Sequence, residues 1–339
     1  MSTPNQRDLV IIGGGPAGYS AALYAARASL DTLVVEQGMP GGQIATSDMI
    51  DNYPGIERCS GAELGQKMQS HAESAGAQST YGSVQSLTRH ESGFTITTDM
   101  DSIEAKSVIV ATGATPRPGN FSGEEMYRGR GVSYCATCDG MFYRGKHVFI
   151  IGGGNSAVEE ALYLSNLADQ VEIIVRRDVF RAPRGMVDRL SAKPNISIRY
   201  QTSITEVSGS TFINAITFRD NATGETHVES YDEGSVGVFV AVGHDPATSL
   251  VAGLAELGPD GGVLTDEHMG TTTPGLYCAG DMRSKSLRQV VPAADEGATA
   301  ATAAYHYLAT PSEHAESQRA SLRSRLSLTE RQQSKVSHS

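Results

Sequence analysis

One pattern occurs twice in this chain and limits what it can fold into. Residues 8–18 read DLVIIGGGPAG and run into an alanine-rich stretch to Ala28. Residues 147–157 read HVFIIGGGNSA and run into an alanine- and leucine-rich stretch to Leu167. Each is an apolar strand, a glycine turn and a helix, and each returns to an apolar strand, at residues 32–35 and 171–175. Two βαβ units of this kind place the chain in the α/β class, with two Rossmann-like dinucleotide-binding domains. The chain's 339 residues suit two domains.

The remaining strands suggest how the domains interleave. Residues 108–111 and 236–242 are apolar, and each stretch runs out into a glycine and a nearby proline. A third exit, TTTPGLYCAGD at 271–281, precedes an alanine-rich helix at 290–308. If residues 1–117 and 246–312 share one domain, residues 118–245 form a second domain inserted into it, with Pro116, Pro118 and Pro246 at the boundaries. The polar stretch 313–339, rich in Ser, Gln, Arg and Glu, is expected to be a flexible tail.

The first turn has glycine at 13, 15 and 18, between strand and helix. One glycine permits the sharp turn, the next lets a pyrophosphate approach the backbone, and the third lets helix and strand pack closely. The helix N-terminus, entered through Pro16 and Ala17, offers unpaired N–H groups to phosphate. Glu36 lies 23 residues beyond Gly13, where a carboxylate accepts hydrogen bonds from ribose hydroxyls. The second turn has Gly152, Gly154 and Ala157, with Asn155 and Ser156 between. Where the first unit has Glu36, the second has Arg176, followed by Arg177 and Arg181. An acid there would repel a 2′-phosphate, whereas arginines would grip it. The second site therefore reads as one for NADPH. The first needs another dinucleotide, and Gly280-Asp281 supplies the clue: an Asp after such a strand can accept from the ribityl hydroxyls of FAD.

The stretch SYCATCDG, residues 133–140, holds two of the four cysteines. A metal hook, a structural disulfide and a redox pair are the competing readings. A zinc site of four thiolates lacks its second pair, since Cys59 and Cys278 are isolated and read as small core residues, so no metal is expected. A structural disulfide closing so short a loop would constrain the unfolded chain little. A redox pair suits a flavin neighbour, because a hydride carries the two electrons that a disulfide needs. Asp139 follows Cys138 and is placed to give or take the proton of thiolate exchange, or to serve as a turn residue.

With 38 acidic against 27 basic residues, net −11, nucleic acid is not an expected partner. No apolar run reaches the roughly 18 residues of a membrane span. The N-terminus passes from a short polar lead into a strand, with no secretory pattern, so a cytoplasmic location is expected.

These motifs together resemble the bacterial low-molecular-weight thioredoxin reductase family over about residues 7–310. The resemblance rests on GGGPAG (13–18), GGQ (41–43), NYPG (52–55), ATGA (111–114), CATCDG (135–140), GGGNSAVEEAL (152–162), RRDVFRA (176–182), GHDP (243–246), AGD (279–281) and RQ (288–289). It implies that Glu36, Gln37, Gly41, Gly42 and Gln43 wrap the FAD. Asn52, Thr112, Gly113, Gly280 and the stretch from Asp281 to Val290 line it, with Arg288 and Gln289 near the isoalloxazine. It implies that Cys138 is the thiol nearer the flavin, that Cys135 attacks the partner's disulfide and that Asp139 is the acid–base group. It further implies a homodimer, an inserted domain that rotates between two electron-transfer poses, and a thioredoxin or thioredoxin-like protein as partner. Val175 stands where the family usually has His. Two other readings share these motifs: a ferredoxin-dependent or oxygen-linked relative, against which the arginine set counts, and a flavin redox sensor without turnover. Arg128, Arg130, Arg144 and Lys146 flank the cysteine loop and form either a basic rim for an acidic partner or ordinary solubility charge.

Overall fold

A computed structural model describes residues 6–47 and 49–310; the expected tail at 313–339 lies outside these. The chain separates into two compact units, residues 116–245 and the sequence on either side of them. Each is described by itself.

The flanking unit is built on a seven-stranded sheet. Its path runs 78–81, 32–36, 6–12, 102–110, 93–98, 84–90, and strand 276–278 pairs with 102–110 off that path. Strand Gln6–Ile12 lies parallel to both neighbours, Leu9 opposite Thr32 and Ser107. Strand Ser102–Val110 is shared along its length: Ala105 faces Phe94 in an antiparallel pair, and Val108 faces Leu276 in a parallel one. The period-two alternation of the central strand serves two cores. Leu9 and Ile11 join the cluster under helices Pro16–Arg27 and Val290–Ala309. Val10 and Ile12 join Phe94, Ile96 and Val263 on the opposite face. All four are at most 3% exposed, and burying each contributes about 1.5–3 kcal/mol. A strand so apolar cannot lie at a surface, so both faces are covered.

The two helices approach closely because small residues line their contact. A Cβ on Gly297 would overlap the carbonyl of Ala17, and the Ser20 hydroxyl donates to the carbonyl of Ala294 at 2.6 Å. This contact sets the N-terminus of helix Pro16–Arg27 beside the Gly280 turn, where an added Cβ would come within 3.0 Å of the Ala17 Cβ.

The unit 116–245 holds a five-stranded sheet in the order 196–200, 170–175, 147–151, 236–240, 132–133. Its strands pair in parallel throughout. Helix Asn155–Leu164 covers one face through Ala157, Val158, Ala161 and Leu164. The other face, through Phe149, Ile174 and Val238, packs on the three-stranded antiparallel sheet 202–209, 213–220, 226–230 through Ile204, Ile216 and Phe218. Among the described residues no helix is long and apolar enough to cross a membrane.

Candidate functional site

In the flanking unit the strand ends and glycine loops gather at one edge. Gly13 turns with φ +105°, a conformation that glycine adopts without strain. Its N–H donates to the carbonyl of Val35, while the Ala111 N–H donates to Ile12 and the Ala279 N–H to Val110. The carboxyl ends of four strands therefore meet here, where parallel sheets bind ligands. A Cβ on Gly18 would overlap the Gly13 carbonyl, so the third glycine is required by helix–strand approach.

Glu36 ends strand Thr32–Glu36 and holds two loops at once. Its Oε2 accepts from the Gly14 N–H, and its Oε1 accepts from the Gly38 N–H at 2.7 Å. Gly41 donates to the Gly14 carbonyl at 2.8 Å, and a Cβ on Gly42 would sit 3.4 Å from the Gly15 Cα. Glu36, Gly41 and Gly42 thus come together against the turn Gly13–Gly15; Gln37, next along the chain, accepts from Ser83 at 3.5 Å, and Gln43 follows in the 3-10 turn Gly42–Thr46. Thr112 donates to the Ala247 carbonyl at 2.7 Å, Gly113 accepts from the Ala247 N–H, and Thr112 touches Met282 Sδ.

The Gly280–Asp281 turn is fixed by a buried ionic cluster. Glu296 Oε2 accepts from the Gly280 N–H at 2.7 Å, and its Oε1 pairs with Arg283 at 2.7 Å and Lys285 at 3.3 Å. Lys285 also lies 3.2 Å from Asp281 Oδ1, an ion pair; that oxygen is buried and has no hydrogen-bond partner among the described residues. A buried carboxylate oxygen held by one ion pair, beside glycine loops, keeps lone pairs for a hydroxyl-bearing ligand such as a ribityl chain. Arg288 Nε points at the Asp281 carbonyl at 3.4 Å, and its Nη2 lies 3.7 Å from Asp260. Asn52 donates to Gln289 Oε1 at 3.1 Å, and Val290 is buried with Ile50, Cys59 and Leu64.

In the unit 116–245 the second turn and the arginines are joined by backbone. Gly153 accepts from the N–H of Arg181 at 2.6 Å and of Ala182 at 3.1 Å. The Arg181 guanidinium would be 3.7 Å from a Cβ on Gly154. The Gln201 N–H donates to the Arg177 carbonyl and the Asn221 side chain to the Arg176 carbonyl, so the loop 176–181 is anchored while its arginine side chains are exposed. None of Arg176, Arg177 and Arg181 pairs with a carboxylate among the described residues. Three uncompensated guanidiniums beside an open glycine turn fit a phosphorylated dinucleotide. Asn155 and Ser156 are exposed at the helix start, and Ala157 is buried, its Cβ 2.9 Å from where a Gly152 Cβ would be. Val175 is 2% exposed and belongs to the core.

Cys135 and Cys138 form a disulfide with Cα atoms 5.3 Å apart, across the short helix Ala136–Asp139. Cys135 caps that helix, its sulfur accepting from the Cys138 N–H at 3.2 Å. Ser133, 3% exposed, donates to Asp139 Oδ2 at 2.6 Å and accepts from the Cys135 N–H at 3.1 Å. Tyr134 donates to Glu124 at 2.6 Å and lies under the Arg128 guanidinium. Burial, and then the charge of Asp139, pushes the Tyr143 phenol above its ordinary range. Cys59 and Cys278 are free and buried, and burial pushes the Cys278 thiol up. No group of three or more metal-ligating side chains occurs among the described residues.

Ser133, Tyr134, Glu124 and Glu296 are given no role by motif reading, and Lys285 is covered only as part of the stretch from Asp281 to Val290. Ser133 and Tyr134 adjoin Cys135 and could have been flagged by position alone; Glu124 and Glu296 carry no local signal.

The sequence profile described as pyridine nucleotide-disulphide oxidoreductase matches residues 7–297. A thioredoxin reductase of Treponema pallidum is 43% identical over 304 residues, 89% of this chain and 97% of the relative. The crystal structure of thioredoxin reductase from Streptococcus pyogenes superposes with a TM-score of 0.84 at 40% identity, covering 91% of this chain and 100% of that one. Thioredoxin reductase from Giardia duodenalis also gives 0.84, at 35% identity, covering 90% and 100%.

Proposed function

Because the chain belongs to the pyridine nucleotide-disulphide oxidoreductases, we propose that it is an NADPH-dependent thioredoxin-disulfide reductase with FAD as its resident cofactor. The observation that carries this reading is the Cys135–Cys138 disulfide sharing a folding unit with an exposed loop whose three arginines pair with no carboxylate among the described residues. Two electron partners, a nicotinamide and a disulfide, then belong to one body. The same loop favours NADPH over ferredoxin or oxygen as the electron-exchange partner.

We assign FAD to the domain of residues 1–117 and 246–312, and NADPH to residues 118–245. When bound, FAD supplies a two-electron carrier between nicotinamide and disulfide. The protein holds it through Gly13, Gly15, Pro16, Ala17, Gly18, Glu36, Gln37, Gly41–Gln43, Asn52, Thr112, Gly113, Gly280, Asp281 and Arg288–Val290. Gly152, Gly154–Ala157, Arg176, Arg177 and Arg181 hold NADPH.

Reduction of the disulfide leaves two thiols, having added two electrons and two protons. The Cys135 thiolate then attacks one sulfur of the partner's disulfide, breaking that bond and releasing one partner thiolate, which takes a proton. The Cys138 thiolate attacks Cys135 Sγ, re-forms the internal disulfide and releases the second partner thiolate, which takes another. Asp139 moves these protons at its carboxyl oxygens. The reading extends to a homodimer in the cytoplasm, for which size exclusion should give twice the chain mass of 35.8 kDa.

The test is anaerobic mixing of the yellow protein with NADPH, followed by a thioredoxin disulfide. Bleaching by NADPH and recovery by thioredoxin, over many turnovers, is the expected result. Bleaching without recovery would remove thioredoxin as the acceptor, and thiol-dependent binding without turnover would point to a sensor.

A further inference from the structure

We propose that Ser133 is a positioning residue that keeps Asp139 competent in both of its protonation states. The proposal rests on the reading of Asp139 as the proton-transfer group.

Ser133 sits on a strand, its backbone paired beside Phe239 of strand Val236–Val240. Its side chain is enclosed, at 3% exposure, so water does not compete for its hydroxyl. Three protein groups surround that oxygen: Asp139 Oδ2 at 2.6 Å, the Cys135 N–H at 3.1 Å and the Cys135 carbonyl at 3.4 Å. The N–H can only donate, so it takes a lone pair of the hydroxyl in every state. The single hydroxyl proton then has two acceptors. With Asp139 ionised, it points at the carboxylate, the shorter and charge-assisted contact. With Asp139 protonated, the acid donates to the serine oxygen, and the hydroxyl proton turns to the Cys135 carbonyl. Neither state requires Ser133 Oγ to leave its three neighbours or leaves its hydroxyl without an acceptor.

A hydroxyl that served only to brace the loop would need the Cys135 N–H alone. The link to Asp139 spans six residues and joins the backbone of the attacking cysteine to the carboxyl group that manages its protons. A donor to the carboxylate favours the ionised form, so removing it raises the pH at which Asp139 protonates. Tyr143 feels the charge of Asp139, Cys135 and Cys138 titrate once the disulfide is opened, and the helix packed against this segment carries Glu159 and Glu160. Glu160 is perturbed by burial and Glu159, not by Asp139. All are kept in every variant below.

The experiment measures flavin reoxidation against pH. Holoenzyme reduced anaerobically with NADPH is mixed with a thioredoxin disulfide, and the midpoint that Asp139→Asn abolishes is assigned to Asp139. In Ser133→Ala that midpoint moves up by about one to two pH units, the equivalent of one charge-assisted hydrogen bond. Ser133→Thr returns it to the parental position, and Ser133→Val, of the same shape but without a hydroxyl, does not. This matched pair carries the test if Ser133→Ala accumulates poorly. Ser133→Ala combined with Asp139→Asn behaves as Asp139→Asn alone. A slower Ser133→Ala or Ser133→Val enzyme with an unmoved midpoint would overturn the proposal and leave the hydroxyl structural. If instead Asp139→Asn keeps the parental rate at every pH, the reading of Asp139 fails, independently of what Ser133 does.

Discussion

Glu124 Oε1 accepts a 2.6 Å hydrogen bond from the Tyr134 hydroxyl, tying the residue before Cys135 to a loop ten positions upstream. The same carboxylate accepts from the N–H groups of Gly119 at 2.6 Å and Asn120 at 2.7 Å, and Glu124 is only 7% exposed. Glu124→Ala strands four donors, the Phe121 N–H at 3.4 Å included, and should cost about 1–3 kcal/mol, whereas Tyr134→Phe, which removes one partner, costs about 1 kcal/mol. Urea unfolding of the two variants checks the order. Equal losses would mean that the loop finds other partners.

Glu296 is the centre of the cluster behind the Gly280 turn, facing Arg283 and Lys285 with 9% side-chain exposure. Glu296→Ala leaves two cations and the Gly280 N–H without their shared acceptor, a loss of about 3–5 kcal/mol. The variant should retain FAD poorly through gel filtration. Full flavin retention with an unchanged melting temperature would refute the assignment.

Glu160 has a buried Oε2 with no hydrogen-bond partner among the described residues, and burial, with a smaller push from Glu159, raises its carboxyl to about 8 from 4.5. The folded state therefore binds this proton more tightly than the unfolded chain. Stability falls as pH rises from about 4.5 towards 8, since the unfolded chain releases the proton first. Glu160→Gln should be indistinguishable from the parent at pH near 4 and more stable by roughly 2–4 kcal/mol at pH near 9. Parallel denaturation curves for parent and variant at both pH values would count against a protonated Glu160.

The arginine loop should control nucleotide choice. Replacing Arg176, Arg177 and Arg181 with Ala should raise the KM for NADPH on the order of 100-fold while leaving that for NADH nearly unchanged, because only the former has a 2′-phosphate to lose. Steady-state kinetics with both nucleotides decide. A parallel rise for NADH would mean that the arginines bind something other than that phosphate.

Cys135→Ser and Cys138→Ser should each abolish multiple-turnover reduction of thioredoxin, by at least about 1000-fold, since a single thiol cannot complete both exchange steps. Cys135→Ser should still bleach with NADPH. Turnover surviving in Cys138→Ser would remove the pair from the path.

Much of the site could be read without coordinates because its signals are local. Gly13, Gly15 and Gly18 announce a turn by spacing alone, and so do Arg176, Arg177 and Arg181 after a strand. The link from Gly153 to Arg181, at 2.6 Å, was not legible: a turn and a loop 28 residues apart meet only when the strands between them pair. The same holds for Asn52 and Gln289, 237 residues apart and joined by a 3.1 Å hydrogen bond. Glu124 and Glu296 look like surface acids in the sequence; both are buried because backbone N–H groups and cations come to them from elsewhere in the chain.

The amino-acid sequence by itself determined the two βαβ units, the cysteine pair and the contrast between Glu36 and Arg176. Apolar periodicity, glycine spacing and side-chain charge are properties of short segments that no distant contact can rewrite. The tertiary structure decided which carboxylates answer which donors, and so what surrounds Cys135, Asp139 and Asp281. Such partnerships depend on positions of a few tenths of an ångström between segments far apart in the chain, and only the packed sheet and helices set those positions.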